Sequence, residues 1–436
     1  MTTRTRTGDQ ALVREINLSI ILNALRDRSP LSRASLASAT GLNKTTVSSL
    51  VQQLIDGRFV SEVGVEKSDD IGRPGRLLEL NPAAGCIIGA EIGVDFISVL
   101  VTDFAARVLW RQQERTARGS AQEAILSRML ALIDAAIKHT AGGGAEVLGL
   151  GLGVPGLVDV LSGTLLFGPN LGWRNVPLRA QLAAAFSFPV YVDNEANMAT
   201  LGESYFGVAR GARSVLYVSA GVGLGGGIVL DGRVLPGAGG FAGEVGHMTM
   251  EPDGRPCNCG NRGCWETLVS QKAVFRRVRT AITGGEESNL TAATGGDLTA
   301  LTIPLVATAA RNGDAVARAA LHETAVWLGI GLANLINALN PEIIVFGGIL
   351  SLASDCLLPV VAAVIRERAL RWPAAATQVL VAAYGADACV MGGIATVYYQ
   401  ILSQPFRTEQ SHARPSPSLG YTLGTRVGSE ALVALP

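Results

Sequence analysis

The chain has 436 residues, 48 % of them hydrophobic, and its 36 Lys/Arg balance 36 Asp/Glu. That length exceeds one small core and predicts two or three globular units, while a net charge of zero excludes a global basic field that would by itself draw nucleic acid. Its 52 glycines, about 12 % against a usual value near 7 %, suit the many strand-to-loop turns of an α/β protein.

Leu12, Ile16, Ile20 and Leu25 recur at helical period and predict a helix over 12–26. Leu36, Ala37, Leu42, Val47, Leu50, Val51 and Leu54 carry the period on through two shorter helices parted at Thr40-Gly41. Phe59-Val60 and Leu77–Leu80 then read as a hairpin with polar residues 64–75 at its tip, closed by Asn81-Pro82, because the residue before proline avoids the helical region. A helix-turn-helix needs a small residue where its helices cross, a turn residue tolerant of positive φ, and an aliphatic anchor on the second helix. Ala37, Gly41 and Val47 stand at those offsets. The polar face of that second helix, Lys44, Thr45, Ser48, Ser49 and Gln52, has side chains sized for a major groove. Arg73 and Arg76, on a turn stiffened by proline, suit a phosphate or the minor groove. Residues 1–81 hold eleven Lys/Arg against nine Asp/Glu. The expectation of an N-terminal winged helix-turn-helix DNA-binding unit over 1–81, mainly α, therefore rests on pattern and not on charge.

Beyond residue 82 strand-like runs fall at 87–92, 97–103, 147–153, 190–192, 215–219, 227–230, 343–346 and 378–382. Helices lie between them. One covers 120–139, opened by Ser120-Ala-Gln-Glu123 at capping-box spacing, and the Ala/Leu-rich stretch 305–339 ends at Asn340-Pro341. This is the pattern of an α/β body with at least two lobes. Residues 404–436, with Arg414-Pro-Ser-Pro-Ser, read as a loosely ordered tail. The apolar stretches 86–101 and 147–158 are broken by Glu91 and Asp95 or are too short for a bilayer, so the expectation is a cytoplasmic protein without a membrane partner.

Cys257-Asn-Cys259-Gly-Asn-Arg-Gly-Cys264 packs three thiols into eight residues, with His247 ten residues upstream. Four nitrogen and sulfur ligands fill a tetrahedral Zn²⁺ site and leave no position for water, which makes the metal structural. Gly260 and Gly263 let that loop fold back. Cys86, Cys356 and Cys389 are isolated and read as buried core thiols in a reducing compartment. Around the cysteines, Gly243-Glu244-Val-Gly-His247, Glu266, Pro169-Asn170-Leu-Gly-Trp173 and Val192-Asp-Asn194-Glu195-Ala-Asn197 gather carboxylates and amides. Such groups suit a sugar, because each can bridge two neighbouring hydroxyls.

Asn194-Glu195-Ala-Asn197, Gly243-Glu-Val-Gly-His247, the Cys-x-Cys-Gly-x-x-Gly-Cys-x-Glu266 string and Gly72-Arg-Pro resemble the ROK family of repressors and sugar kinases. The resemblance spans roughly residues 12–400. It implies an actin-like, ribonuclease H-like two-lobed sugar-kinase fold. Residues 82–198 and 388–403 would form the first lobe, and 199–387 the second lobe with the zinc motif. It implies zinc on His247, Cys257, Cys259 and Cys264, and sugar contacts from Asn170, Asn194, Glu195, Glu244, His247 and Glu266.

The family holds kinases as well as repressors, and the phosphate loops separate them. Kinases of this type carry Asp-x-Gly-Gly-Thr after the opening strand, where this chain has Glu91-Ile-Gly93-Val94-Asp95. Asp95 puts a negative charge where a hydroxyl should donate, and two charges about 4 Å apart repel by about 4 kcal/mol at an effective dielectric near 20. Glu195 also replaces the aspartate expected as catalytic base, one methylene longer. The expectation is therefore not an enzyme but a repressor, a homodimer or tetramer on operator DNA that a monosaccharide releases or modulates. The Glu91–Asp95 string resembles the xylose-responsive branch, which makes xylose the favoured effector over a glucose-type sugar. An ATP-dependent sugar kinase is the alternative.

Overall fold

The computed structural model describes residues 10–66, 75–117, 119–141 and 146–406. The N-terminal region is helical: α1 (Gln10–Arg28), β1 (Leu31–Ser32), α2 (Arg33–Thr40), α3 (Lys44–Asp56), β2 (Val60–Val65) and β3 (Arg76–Leu80). Its helix ends are written in the sequence. The Ser32 hydroxyl accepts from Ser35 N at 3.2 Å to start α2, and the Asn43 amide oxygen accepts from Thr46 N at 2.8 Å to start α3. Between them Gly41 takes φ 73° and returns its N–H to the Ala37 carbonyl at 3.0 Å, the left-handed cap that glycine adopts without penalty. Leu22, Leu25, Leu36, Val47, Val51 and Leu54 are fully buried between the three helices. β3 pairs antiparallel with both β2 and β1, in the order β1-β3-β2.

The body is built on two five-stranded sheets. The first takes β4 (Cys86–Ile92), β5 (Phe96–Asp103) and β6 (Val108–Arg115), then α4 (Gln122–Ala141) and β7 (Val147–Val154). A side sheet of β8 (Leu157–Asp159), β9 (Thr164–Gly168) and β10 (Trp173–Val176) follows, then α5 (Leu178–Ala185), β11 (Val190–Asn194) and α6 (Glu195–Tyr205). The second sheet takes β12 (Ser214–Ala220), β13 (Leu224–Leu230) and β14 (Arg233–Val234). Helices α7 (Glu266–Val269), α8 (Gln271–Thr283), α9 (Asn289–Ala293), α10 (Ile303–Arg311) and α11 (Ala315–Leu339) lead to β15 (Ile343–Gly347). The chain finishes with α12 (Ser354–Arg368), α13 (Arg371–Ala376), β16 (Gln378–Val381) and α14 (Ala388–Ser403).

The two sheets share one topology. β6-β5-β4 and β14-β13-β12 are antiparallel meanders, and each continues into two parallel strands, β7-β11 and β15-β16. The helix leaving each sheet packs on the other: α6 leaves the first and lies on β12 and β13, while α14 leaves the second and lies on β4 and β7. The crossing depends on missing side chains. A Cβ on Gly89 or Gly151 would meet the backbone of Val390 or Gly393 in α14, and a Cβ on Gly392 would meet the Met198 carbonyl in α6.

Several expectations need correction. Ser120 does not form a capping box; its hydroxyl donates to the Ala117 carbonyl at 2.7 Å and the helix starts at Gln122. The 305–339 stretch is two helices, broken where Gly313 takes φ 95° and the Asp314 carboxylate caps α11 through Ala317 N. β6 and the side sheet went unread because their strands are short or mostly exposed. Cys86 and Cys389 are buried, but Cys356 is half-buried. Two runs, Ala315–Leu339 and Ile349–Arg368, are by length and composition apolar enough to cross a membrane. The first is a core helix here, with Leu321, Leu328, Leu332 and Ile336 buried in the second-sheet cluster. Arg73, the Gly72-Arg-Pro string and the tail from 407 onward lie outside the described residues. Phe406, just before them, sits edge-on to Phe59, with ring centroids 5.7 Å apart.

Candidate functional site

The cysteine loop closes on itself by backbone bonds. Met250 N donates to Gly263 O, Gly263 N to Arg255 O and Cys257 N to Asn261 O, each at 2.8 Å. Gly263 takes φ 65°, and a Cβ there would run into the Glu251 carbonyl, so only glycine serves. The result brings one donor atom from each of His247, Cys257, Cys259 and Cys264 within 4.8 Å of one another. Cys259 Sγ and Cys264 Sγ are 3.7 Å apart, as are Cys257 Sγ and His247 Nδ1. A tetrahedron with Zn–S bonds near 2.3 Å has edges of about 3.8 Å, so this His/Cys₃ cluster fits a structural Zn²⁺. Burial pushes the Cys257 and Cys264 thiols up, and a bound cation is what would hold them as thiolates.

The metal loop also positions a carboxylate. Glu266 Oε1 accepts from Cys257 Sγ at 3.0 Å and Oε2 from Leu224 N at 3.2 Å, which pins it between the loop and the Gly-rich turn before β13. Asn170, from the β9–β10 turn, accepts from the Asn258 amide at 3.2 Å. Gly223 faces both, since a Cβ there would lie 2.6 Å from Glu266 Oε2 and 3.3 Å from Asn170 Nδ2. Glu244 Oε2 is 3.7 Å from His247 Nε2. Asn170, Asn194 and Glu195 stand on elements of the first sheet and its side sheet, and Glu244, His247 and Glu266 on the stretch that follows β14.

Asn194 has mostly a local task. As the cap of α6 its Oδ1 accepts from Ala196 N at 2.7 Å, and its Nδ2 donates to Gly156 O at 2.9 Å, leaving one amide hydrogen for a ligand. Glu195 opens the helix with Oε2 enclosed and without a partner. Burial pushes its carboxyl up to about 8, reinforced by Glu91, Glu244 and Asp193. Burial likewise raises Glu244, against the pull of His247.

Sequence reasoning passed over the ring of acids behind Glu195. Burial raises Asp193 to about 6 although the Asn197 amide donates to it at 3.1 Å. Glu91, 8 % exposed, is raised by burial to about 8 and takes a hydrogen bond from the Cys389 thiol. Asp193 and Asn197 were legible as a pair four residues apart at a helix start. No local signal joins Glu91 to Cys389. Gly93-Val94-Asp95 form the turn of the β4–β5 hairpin, where Gly93 N donates to Phe96 O at 2.8 Å and the Phe96 ring covers the glycine.

On the N-terminal region, Lys44, Thr45, Ser48, Ser49 and Gln52 are exposed along one face of α3, opposite buried Val47, Leu50, Val51 and Leu54. Gln52 donates to Asp56 at 2.9 Å. Arg76, at the start of β3, pairs with Glu62 at 2.6 Å, and Arg33 reaches the same carboxylate at 2.9 Å.

A two-sheet α/β body of sugar-kinase type, carrying a His/Cys₃ loop with Glu266 against it, defines the class. The chain belongs to the ROK family, whose pattern matches residues 87–399. It is 36 % identical over 398 residues to the xylose repressor of Caldicellulosiruptor bescii, covering 91 % of this chain and 99 % of the relative. It is 36 % identical over 307 residues to a glucokinase of Halalkalibacterium halodurans, covering 70 % of this chain and 93 % of the relative. The crystal structure of a ROK family transcriptional regulator, a homologue of the E. coli MLC protein, superposes with a TM-score of 0.78 at 28 % identity, covering 90 % of this chain and 97 % of that one. The expectation that the chain is not an enzyme is overturned here. A body this similar to a glucokinase does not support exclusion of kinase activity from an altered phosphate-loop string and one longer carboxylate at Glu195.

Proposed function

We infer that the protein is a sugar-responsive transcriptional regulator, a winged helix-turn-helix head on an actin-like, ribonuclease H-like two-lobed body. One observation carries this reading. The match to the xylose repressor is about 90 residues longer than the match to the glucokinase, and that surplus is the size of the head. In this assignment residues 1–81 are the DNA-binding unit, α3 is the recognition helix, and β2–β3 is the wing. Lys44, Thr45, Ser48, Ser49 and Gln52 face the major groove, with Arg76 and Arg73 directed to the backbone or minor groove. The duplicated sheet topology with exchanged helices supports the two-lobed description, with 82–198 and 388–403 in one lobe and 199–387 in the other.

The effector is a monosaccharide held in the cleft by Asn170, Asn194, Glu195, Glu244, His247 and Glu266, with the metal loop fixing His247 and Glu266 from behind. D-xylose is the first candidate and D-glucose the second. A homodimer or tetramer places two recognition helices about one helical turn of DNA apart. The test is fluorescence anisotropy on a duplex that the protein itself enriches from a random library, with and without each sugar and without ATP. A sugar-dependent change in operator Kd that Glu195→Ala abolishes, with DNA binding retained, is the expected result. No enriched duplex, or equal induction of the variant, overturns the reading.

A further inference from the structure

The head is fastened to the body by two unlike contacts. The first is apolar and joins it to the first sheet and its covering helix: Leu22 and Leu25 of α1 share one buried cluster with Leu100, Phe104, Ile394 and Tyr398. There the Phe104 and Tyr398 rings stack with centroids 5.1 Å apart, and Tyr398 Oη donates to the Phe104 carbonyl at 2.8 Å. The second contact is polar and comes from the segment between α6 and β12, which leads into the second sheet. Arg210 donates to the carbonyls of Arg26 at 3.0 Å and Asp27 at 2.8 Å, in the last turn of α1. Carbonyls at a helix C-terminus lack helical partners and carry its negative pole, so a guanidinium suits them. The Arg26 guanidinium in turn lies 4.4 Å from the centroid of the Tyr205 ring. A cavity of about 240 Å³ opens beside this contact, lined by Arg26, Arg107, Tyr205 and Arg210 among others, while Phe206 next to Tyr205 packs edge-on to Tyr398 with ring centroids 5.7 Å apart.

Tyr205 is the last residue of α6, and Glu195, at the cleft, is the first. The helix spans about 16 Å between them. Where it crosses α14 the two backbones touch through Gly202 and Gly392, with no room for a Cβ on either, a close-packed contact that leaves little room for α6 to bend.

We propose that Arg210, together with the Arg26–Tyr205 stack, is the latch through which closure of the cleft on a sugar is transmitted to the head. This rests on the regulator reading above. The apolar cluster moves the head with the first sheet, whereas Arg210 ties the same head to the entry of the second. A change in the angle between the sheets cannot leave both contacts intact. Hydrogen bonds are short-ranged and directional, so the Arg210 contact is the one that yields, and the position of the head then reports the state of the cleft.

The experiment compares wild type with Arg210→Ala, whose side chain is exposed and outside the core. Operator Kd is measured with and without saturating D-xylose or D-glucose, and sugar Kd is measured without DNA by calorimetry. In wild type the responding sugar shifts operator Kd at least about tenfold, within the usual span for linked sites of roughly 5- to 150-fold. In Arg210→Ala that ratio falls below about twofold while sugar without DNA binds at least as tightly as to wild type, because the contact that closure must break is already gone. Arg210→Lys keeps the charge but loses the planar fork and gives an intermediate ratio. Linkage supplies a check, because DNA must shift sugar affinity by the same factor that sugar shifts DNA affinity. An Arg210→Ala ratio equal to wild type overturns the latch and leaves the regulator reading standing. If wild-type operator binding ignores both sugars, the regulator reading fails and the latch fails with it.

Discussion

Replacing Cys259 with serine tests how far the sugar cleft depends on the metal loop. Ser Oγ lies about 0.4 Å closer to Cβ than a sulfur does, and a hydroxyl is not deprotonated near neutral pH, so the substitution removes one of four ligands outright. Structural zinc sites of this kind bind with about 10–16 kcal/mol. Losing a quarter of that, about 3 kcal/mol, weakens zinc by more than about a hundredfold. The damage then spreads by geometry. Glu266 lies two residues beyond the ligand Cys264 and accepts from Leu224 N, and His247 is itself a member of the cluster, so both proposed sugar contacts are placed by the loop. A loosened loop should lower sugar affinity by about 10- to 100-fold, the usual effect of removing outer support from a metal site. Zinc per chain is read by mass spectrometry after dialysis against a chelator, and sugar affinity by calorimetry on the same sample. A variant that keeps one zinc per chain, or that loses zinc without losing sugar affinity, refutes this chain of dependence.

Stability should fall as pH rises from about 5 to 8. Glu91 and Glu195 are raised to about 8 and Asp193 to about 6, so the folded chain holds these protons more tightly than the unfolded chain does. Stability they supply is complete below the unfolded carboxylate range and is lost through the raised values, with a ceiling of about 1.4 kcal/mol per pH unit for each group. Urea denaturation at pH 5, 6.5 and 8 measures the slope, and Glu195→Gln should flatten it; an unchanged slope would remove Glu195 from the account. Gly41→Ala should destabilise the head by about 1 kcal/mol, although its Cβ would meet nothing within 4 Å, because the cost lies in φ 73° alone. Faster hydrogen exchange in α3 is the expected sign, and wild-type protection there would argue against it.

Local chemistry was the legible part of this chain. Ala37, Gly41 and Val47 announced two helices and a turn, and the cysteine spacing with His247 announced a metal site, because each signal lies within about twenty residues. Asn194 was legible as important but not as a helix cap, since nothing in a motif says which atoms its amide will meet. Glu91 beside Cys389 and Arg210 beside Arg26 were illegible for a plainer reason: both pairs lie far apart in sequence, and only the packing of α14 on β4 and of the segment after α6 on α1 brings them together. β8, β9 and β10 escaped because strands of three to five residues carry too few alternations to show a period. Gly93-Val94-Asp95 carried the weight of an argument against catalysis, and that conclusion did not survive the likeness to a glucokinase.

The shared cluster of head and α14 sets an order of assembly. Residues 18–54 leave the ribosome early, but the side chains of Ile394 and Tyr398 that complete their burial come from the far end of the chain. At about 5–20 residues per second, the first helices wait roughly 20–60 s for that partner. Until then the face of the head that packs on Ile394 and Tyr398 has no cover. Premature termination before residue 388 would leave Leu25 and Phe104 without the α14 side chains that cover them, an apolar patch that the full-length chain does not expose.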